Sequence, residues 1–195
     1  KSSLENLRNR FADQQVDWGK LQDSLHKVVG DSVNIRNMQP DVVEVRPREL
    51  ECDVVRFQNN KEKWVALVGL LNGHPYEIFT GLQDDEEGIM LPKSVTKGKI
   101  VKTVLSEGAK RYDFQFVNKR GYKITVEGLS EKFNPEYWNY AKLISGVLRY
   151  RMPIKHVIKL VSQLQLTSES INTWKVGVER ALKNYLKDDE LPVSC

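Results

Sequence analysis

The spacing of apolar positions changes twice along this chain of 195 residues. Leu4, Leu7 and Phe11, then Trp18, Leu21, Leu25 and Val28, fall three or four residues apart with charges between them, which predicts an amphipathic helix or helix pair. Asp17 is placed to cap the second helix after the Asp13-Gln14-Gln15 break. The polar stretch from Gly30 to Pro47, interrupted by Pro40, reads as a linker with some extended pairing. A boundary near Pro40 is expected, with residues 1–40 as a helical extension and 41–195 as one α+β domain.

Between 42 and 126 the period falls to two. VVRF, WVALVGLL, YEIFTGL, IVKTVL, YDFQFV and YKITVEG are short and rich in β-branched and aromatic residues. Turn residues separate them: Asn59-Asn60, Asn72-Gly73, Glu86-Glu87-Gly88, Glu107-Gly108 and Lys119-Arg120-Gly121. Antiparallel meanders are predicted, with Asn72-Gly73 in a type I′ hairpin because both central residues take positive φ cheaply. In RYDFQFV, Tyr112, Phe114 and Phe116 share one face and Asp113 and Gln115 the other, so one buried and one wet face is expected.

After Gly128 the period becomes helical, through 134–188. Asn134 is the predicted N-cap, with Pro135 at the first helical position, Glu136 in the first turn, and a stripe through Trp138, Ala141, Leu143, Ile144, Val147 and Leu148. A second helix opens on Pro153 and aligns Ile154, Val157, Ile158 and Val161; a third starts at Ser168 and carries Ile171, Trp174, Val178, Ala181, Leu182 and Tyr185. A curled antiparallel sheet followed by three helices makes the fold α+β.

Composition narrows the class without choosing a function. Hydrophobic content of 40% is ordinary for a globular domain. No apolar run reaches the roughly 20 residues of a membrane helix, and KSSLENLRNR lacks the apolar core of a signal peptide, so a cytoplasmic chain without membrane contact is expected. Beginning at Lys1, it is expected to be trimmed or part of a longer polypeptide. Lys+Arg 30 against Asp+Glu 26 leaves +4, with the signs interspersed, which does not demand a nucleic-acid surface. Cys52 and Cys195 make neither a disulfide framework nor a zinc pattern.

Candidates for chemistry are few. In GIMLPKSVTKGK, Gly88 is followed by Ile-Met-Leu-Pro and directly by Lys93-Ser94, which breaks the phosphate-loop spacing, and Pro92 removes an amide donor. Lys93, Lys97 and Lys99 therefore read as a solvated basic turn. Asp84-Asp85-Glu86-Glu87 lacks the interleaved ligands of a calcium loop and reads as an acidic turn capping a hairpin. His26, His74 and His156 stand on separate segments without metal-ligand spacing. DSLHKVVG misses the Asp-x-His-x-x-Gly pattern of some cobalamin proteins by one position on each side, leaving His26 on a helix surface. Cys52, on a strand with no histidine beside it, reads as a core or edge cysteine. Cys195, on an acidic tail, is the one thiol placed for exchange. Trp64, Tyr76, Phe79, Tyr112 and Phe114 offer either a base-stacking sheet or the inner face of a helix-covered one; the amphipathic helices favour the second.

RPRELECDVVRFQNNKEKWVALVGLLNGHPYEIFTG, then GIMLPKSVTKGKIVK, YDFQFVNKRGYKITVEGL and YWNYAKLISGVLRYRMPIKHVIKLVSQL, resemble the C-terminal region of bacterial adenosylcobalamin-dependent (class II) ribonucleotide reductases, a TSCPD-like domain. The resemblance runs from about Val45 to Tyr185 and implies that LVGLLNGHPYEIFTG is scaffold. That family's radical cysteine, reducing cysteine pair, Glu and Asn lie in a catalytic barrel that this sequence does not contain, so no residue here is expected to be catalytic. Many members end in a tail with a cysteine pair; only Cys195 stands in such a place here, and SESINTWKVGVERAL has no TSCPD cysteine. The resemblance implies an accessory portion of a ribonucleoside-diphosphate reductase that supplies deoxynucleotides for DNA synthesis. Its partners would be the barrel, in the same chain or a separate subunit, and a thiol reductant at the tail; adenosylcobalamin would belong to the parent enzyme. The alternative is a stand-alone, non-catalytic module that binds a partner protein or single-stranded nucleic acid.

Overall fold

The computed structural model describes residues 44–165 and 169–186. The expected N-terminal helices, the Pro40 boundary, His26 and Cys195 lie outside them. Six strands come first: β1 (Glu49–Asn59), β2 (Glu62–Leu71), β3 (His74–Leu82), β4 (Lys97–Val104), β5 (Lys110–Val117) and β6 (Lys123–Val126). Four helices follow: α1 (Leu129–Lys132), α2 (Pro135–Arg149), α3 (Ile154–Gln163) and α4 (Glu169–Lys183). None of the helices is long and apolar enough to cross a membrane.

The fold is α+β, as the change of period predicts. One open sheet runs β3-β2-β1-β4-β5-β6, with every neighbour antiparallel. It consists of two three-stranded meanders joined where β1 pairs with β4. Asn72 and Gly73 carry φ of 53° and 79°, the two left-handed residues that a type I′ hairpin requires. The β1–β2 turn is displaced from its expected place. Asn60 and Lys61 hold its positive φ values, while Asn59 ends β1 as a buried residue.

The acidic turn does not cap a hairpin. Asp84 to Gly88 instead begins a crossing segment, residues 83–96, that carries the chain from the β3 edge to β4 beside β1. Ile89, Leu91 and Val95 of this segment are buried against Cys52, Val54, Ile100 and Phe114. Consequently β2 and β3 are buried on both faces along their middles, whereas β1 keeps Glu49 and Glu51 exposed. Ala66, Val68 and Ile78 face the helices, while Val65, Leu67 and Phe79 face the crossing segment and α1. A strand buried on both sides reads as a continuous apolar run, which is how WVALVGLL reads.

Asn134 caps α2 by accepting from Glu136 N at 2.9 Å, with Pro135 at the helix start. The buried stripe is Tyr137, Ala141, Ile144, Ser145 and Leu148. Leu143, expected inside, is 72% exposed. Ser145 takes a core position because its hydroxyl accepts from Ile78 N at 3.0 Å and faces Ile78 O at 3.2 Å and Ala141 O at 2.8 Å. It thereby fastens α2 to the outer edge of β3. In α4, Trp174 is fully buried and its indole N–H donates to Thr80 Oγ1 at 2.9 Å.

Candidate functional site

Glu77 lies in the middle of an apolar strand with no exposed side-chain surface. A carboxylate there needs cations and hydrogen bonds, because burying an isolated charge costs many kcal/mol. Arg46 supplies them two-pronged: Nε donates to Oε2 at 2.9 Å and Nη2 to Oε1 at 2.6 Å. Arg149, in the last turn of α2, adds Nη2 at 3.6 Å from Oε2. Gly69 stands opposite Glu77 on β2, and a Cβ there would lie 2.8 Å from Glu77 Cγ. Glycine makes the room that the carboxylate occupies.

Aromatic rings and a short lead-in segment complete the cluster. The Arg46 guanidinium sits over Tyr112 and that of Arg149 over Tyr76, 5.6 and 5.5 Å from the ring centres. Tyr76 Oη donates to Glu44 O at 3.1 Å, and Arg151 pairs with the Glu44 carboxylate at 2.6 Å. Arg46 also donates to Pro47 O and Arg48 O. Burial pushes the Tyr76 hydroxyl up. Burial, then the like charges of Lys110, Arg46 and Arg149, holds the Lys102 ammonium below the usual lysine range. Both Glu77 oxygens are occupied by arginine, so the cluster offers no free base. Its effect is mechanical: residues 44–48, β3 and the end of α2 are tied at one point.

A second carboxylate, Asp53, accepts from Tyr185 Oη at 2.6 Å and lies 3.6 Å from Lys97 Nζ. Burial first, then the hydrogen bond to Asp53, pushes the Tyr185 hydroxyl well up. Cys52 beside it is 2% exposed. Its thiol is pushed up by burial and then by Asp53, Glu77 and Glu51, so it stays protonated, as a core cysteine and not a nucleophile. A third, Asp113, was placed on the wet side of β5 by alternation but is buried. It accepts from Gly128 N at 2.9 Å and from Arg111, joining β5 to the start of α1.

The other candidates are dispersed. His74 and His156 are exposed on separate elements. Among the described residues no three His, Cys, Asp or Glu side chains gather as metal ligands. Asp84 Oδ1 accepts from Glu86 N and Glu87 N at 2.8 and 3.0 Å. The amides of Glu87 and Glu86 hold its carboxyl below the usual range in a turn-forming role. Trp64, Tyr76, Phe79 and Phe114 are buried, which makes them core and not a stacking surface, and they are divided between both faces of the sheet. Lys97 and Lys99 stand on β4 and not on a turn, paired with Asp53 and with Glu49 and Glu51. Lys93 remains on the turn.

A shallow groove of about 400 Å³ is lined by Pro92, Lys93, Ser94, Asn118, Lys119 and Arg120. That volume suits a compact ligand; it does not fit a corrinoid, and no histidine lines it to ligate cobalt.

Glu77 carried a signal in the sequence: a charge inside a run too apolar to have a wet face requires a buried cation. Arg46 and Arg149 carried none, since nothing local distinguishes them from the other arginines.

A family model described as NrdJ homologue C-terminal domain matches residues 50–187, more than half of the chain. No curated protein and no solved structure matches it.

Proposed function

The chain belongs to the family of NrdJ homologue C-terminal domains, which relates it to class II ribonucleotide reductases, and we propose that it is the C-terminal accessory portion of such an enzyme. The carrying observation is that the match begins at the second residue of β1 and continues past the end of α4. In this reading the domain holds a redox tail that includes Cys195 near the catalytic barrel, and the barrel with adenosylcobalamin performs the reduction of ribonucleotides. The residues described here do not fit the corrinoid, so no step of the reaction is assigned to them. What they contribute is rigidity. The Arg46–Glu77 pair fixes the lead-in segment 44–48 against β3.

Two measurements test this. The natural polypeptide carrying this sequence should have an intact mass near 100 kDa, on the order of several domains, or should co-purify with a class II barrel in stoichiometric amount. A solitary 22.5 kDa species without such a partner would end the reading. In the assembled enzyme, Cys195→Ser should slow turnover with a protein dithiol reductant and leave turnover with dithiothreitol unchanged; equal rates with both would remove the tail's role.

A further inference from the structure

We propose that the groove between the crossing segment and the β5–β6 turn binds the phosphates of a nucleotide, with the Tyr122 ring beside it as a surface for the base. Lys93, Lys119 and Arg120 line it together with Ser94 and Asn118, and no carboxylate does. None of the ion pairs among the described residues uses these three cations. Lys93 stands on one bordering turn and Lys119 and Arg120 on the other, so a polyanion between them would meet cations from both sides.

Both turns that present them are fixed from behind. Arg56 donates from Nη1 to Val95 O and from Nη2 to Pro92 O, each at 2.8 Å, and Val95 N closes on Pro92 O at 2.9 Å. Across the groove, Asn118 Oδ1 accepts from Arg120 N and Tyr122 N, each at 2.9 Å, and Asn118 N donates to Tyr122 O at 2.9 Å. Ligand binding therefore orders side-chain tips and little backbone, which favours affinity. The missing amide at Pro92, fatal to a phosphate loop, does not matter here because the contacts come from side chains.

Tyr122 is 65% exposed. Tyr122 precedes β6, and alternation carried back from Ile124, which stands opposite Phe116, puts it on the side of the sheet where Phe116 joins the core with Leu91, next in the chain to the groove residues Pro92 and Lys93. A cationic groove flanked by an exposed aromatic ring is how proteins hold nucleotide units without reading their sequence.

The test titrates the full chain at low salt with ATP, inorganic tripolyphosphate and a fluorescein-labelled oligothymidylate. All three should bind saturably. Combined Lys93→Ala, Lys119→Ala and Arg120→Ala should weaken each about tenfold or more, and cut the salt dependence of oligonucleotide binding by about two in log–log slope. A control with equal charge loss on exposed helix positions, Lys142→Ala, Lys155→Ala and Lys159→Ala, should change each less than about twofold, the scale of a screened long-range effect. Tyr122→Ala should weaken ATP and the oligonucleotide about tenfold and leave tripolyphosphate unchanged. Oligonucleotide binding much tighter than ATP identifies a strand as the source of the phosphates, and equal affinities a free nucleotide; both support the site. Absence of saturable binding by any probe, or an equal loss in the control variant, overturns it. An unchanged ATP affinity in Tyr122→Ala overturns the base contact.

Discussion

Arg46 and Glu77 stand 31 residues apart in sequence and meet through two parallel hydrogen bonds of 2.9 and 2.6 Å, with almost no water on either side chain. Breaking such a pair from one side leaves an uncompensated buried charge. Arg46→Ala or Glu77→Ala should cost about 3–5 kcal/mol in urea unfolding. The double replacement Arg46→Met with Glu77→Leu should cost much less than the sum of those two replacements made singly, because the buried carboxylate and its main cation leave together and only the part-exposed Arg149 loses a neighbour. Strict additivity would show that the two side chains are not coupled.

Ser145→Ala removes the partner of Ile78 N inside the protein. A loss of about 1–3 kcal/mol is expected, with faster hydrogen exchange at the Ile78 amide than at amides of β2. Unchanged protection of Ile78 would mean that the hydroxyl does not hold the β3 edge.

Gly69→Ala drives a methyl to 2.8 Å from Glu77 Cγ. Destabilisation by about 1–3 kcal/mol is expected from overpacking. Placing the same substitution beside Glu77→Ala should shrink the effect, since the crowded atom is then gone.

Cys52 and Tyr185 both have pKa values raised in the folded protein. Their stabilisation is complete below the unfolded values, about 8.5 for a thiol and 10 for tyrosine, and is lost as pH rises above them. Unfolding free energy should therefore fall above about pH 9, by about 1.4 kcal/mol per pH unit for each proton fully linked to unfolding. Tyr185→Phe lowers stability near neutrality by removing the bond to Asp53, yet should flatten the slope above pH 10. An identical alkaline slope in wild type and variant would remove Tyr185 from the linkage. In the folded protein, Cys52 should resist thiol reagents that label it after denaturation.

The elements were legible because their signals are local. Period two with Asn72-Gly73 fixes a hairpin, and Asn134-Pro135-Glu136 fixes a helix start, within a few residues. What escaped depends on distant chain. The crossing segment buries the second face of β1 to β3, and nothing in residues 83–96 states where β4 will pair. Asp113 obeys alternation and should face water, but the segment leading to α1 returns over it with Gly128. The groove joins residues near 93, which read as a solvated basic turn, to residues near 119, which read only as a turn between strands. Glu77 was the readable exception, a charge out of place in an apolar run, although its partners were not.

Ser145 also sets how this sheet meets another. Its hydroxyl occupies the free hydrogen-bonding positions of Ile78 at the β3 margin, whereas β6 pairs only with β5 among the described strands. A strand arriving at the β3 margin would have to displace this hydroxyl before it could pair with Ile78, so the helix guards the middle of that edge against pairing with another chain.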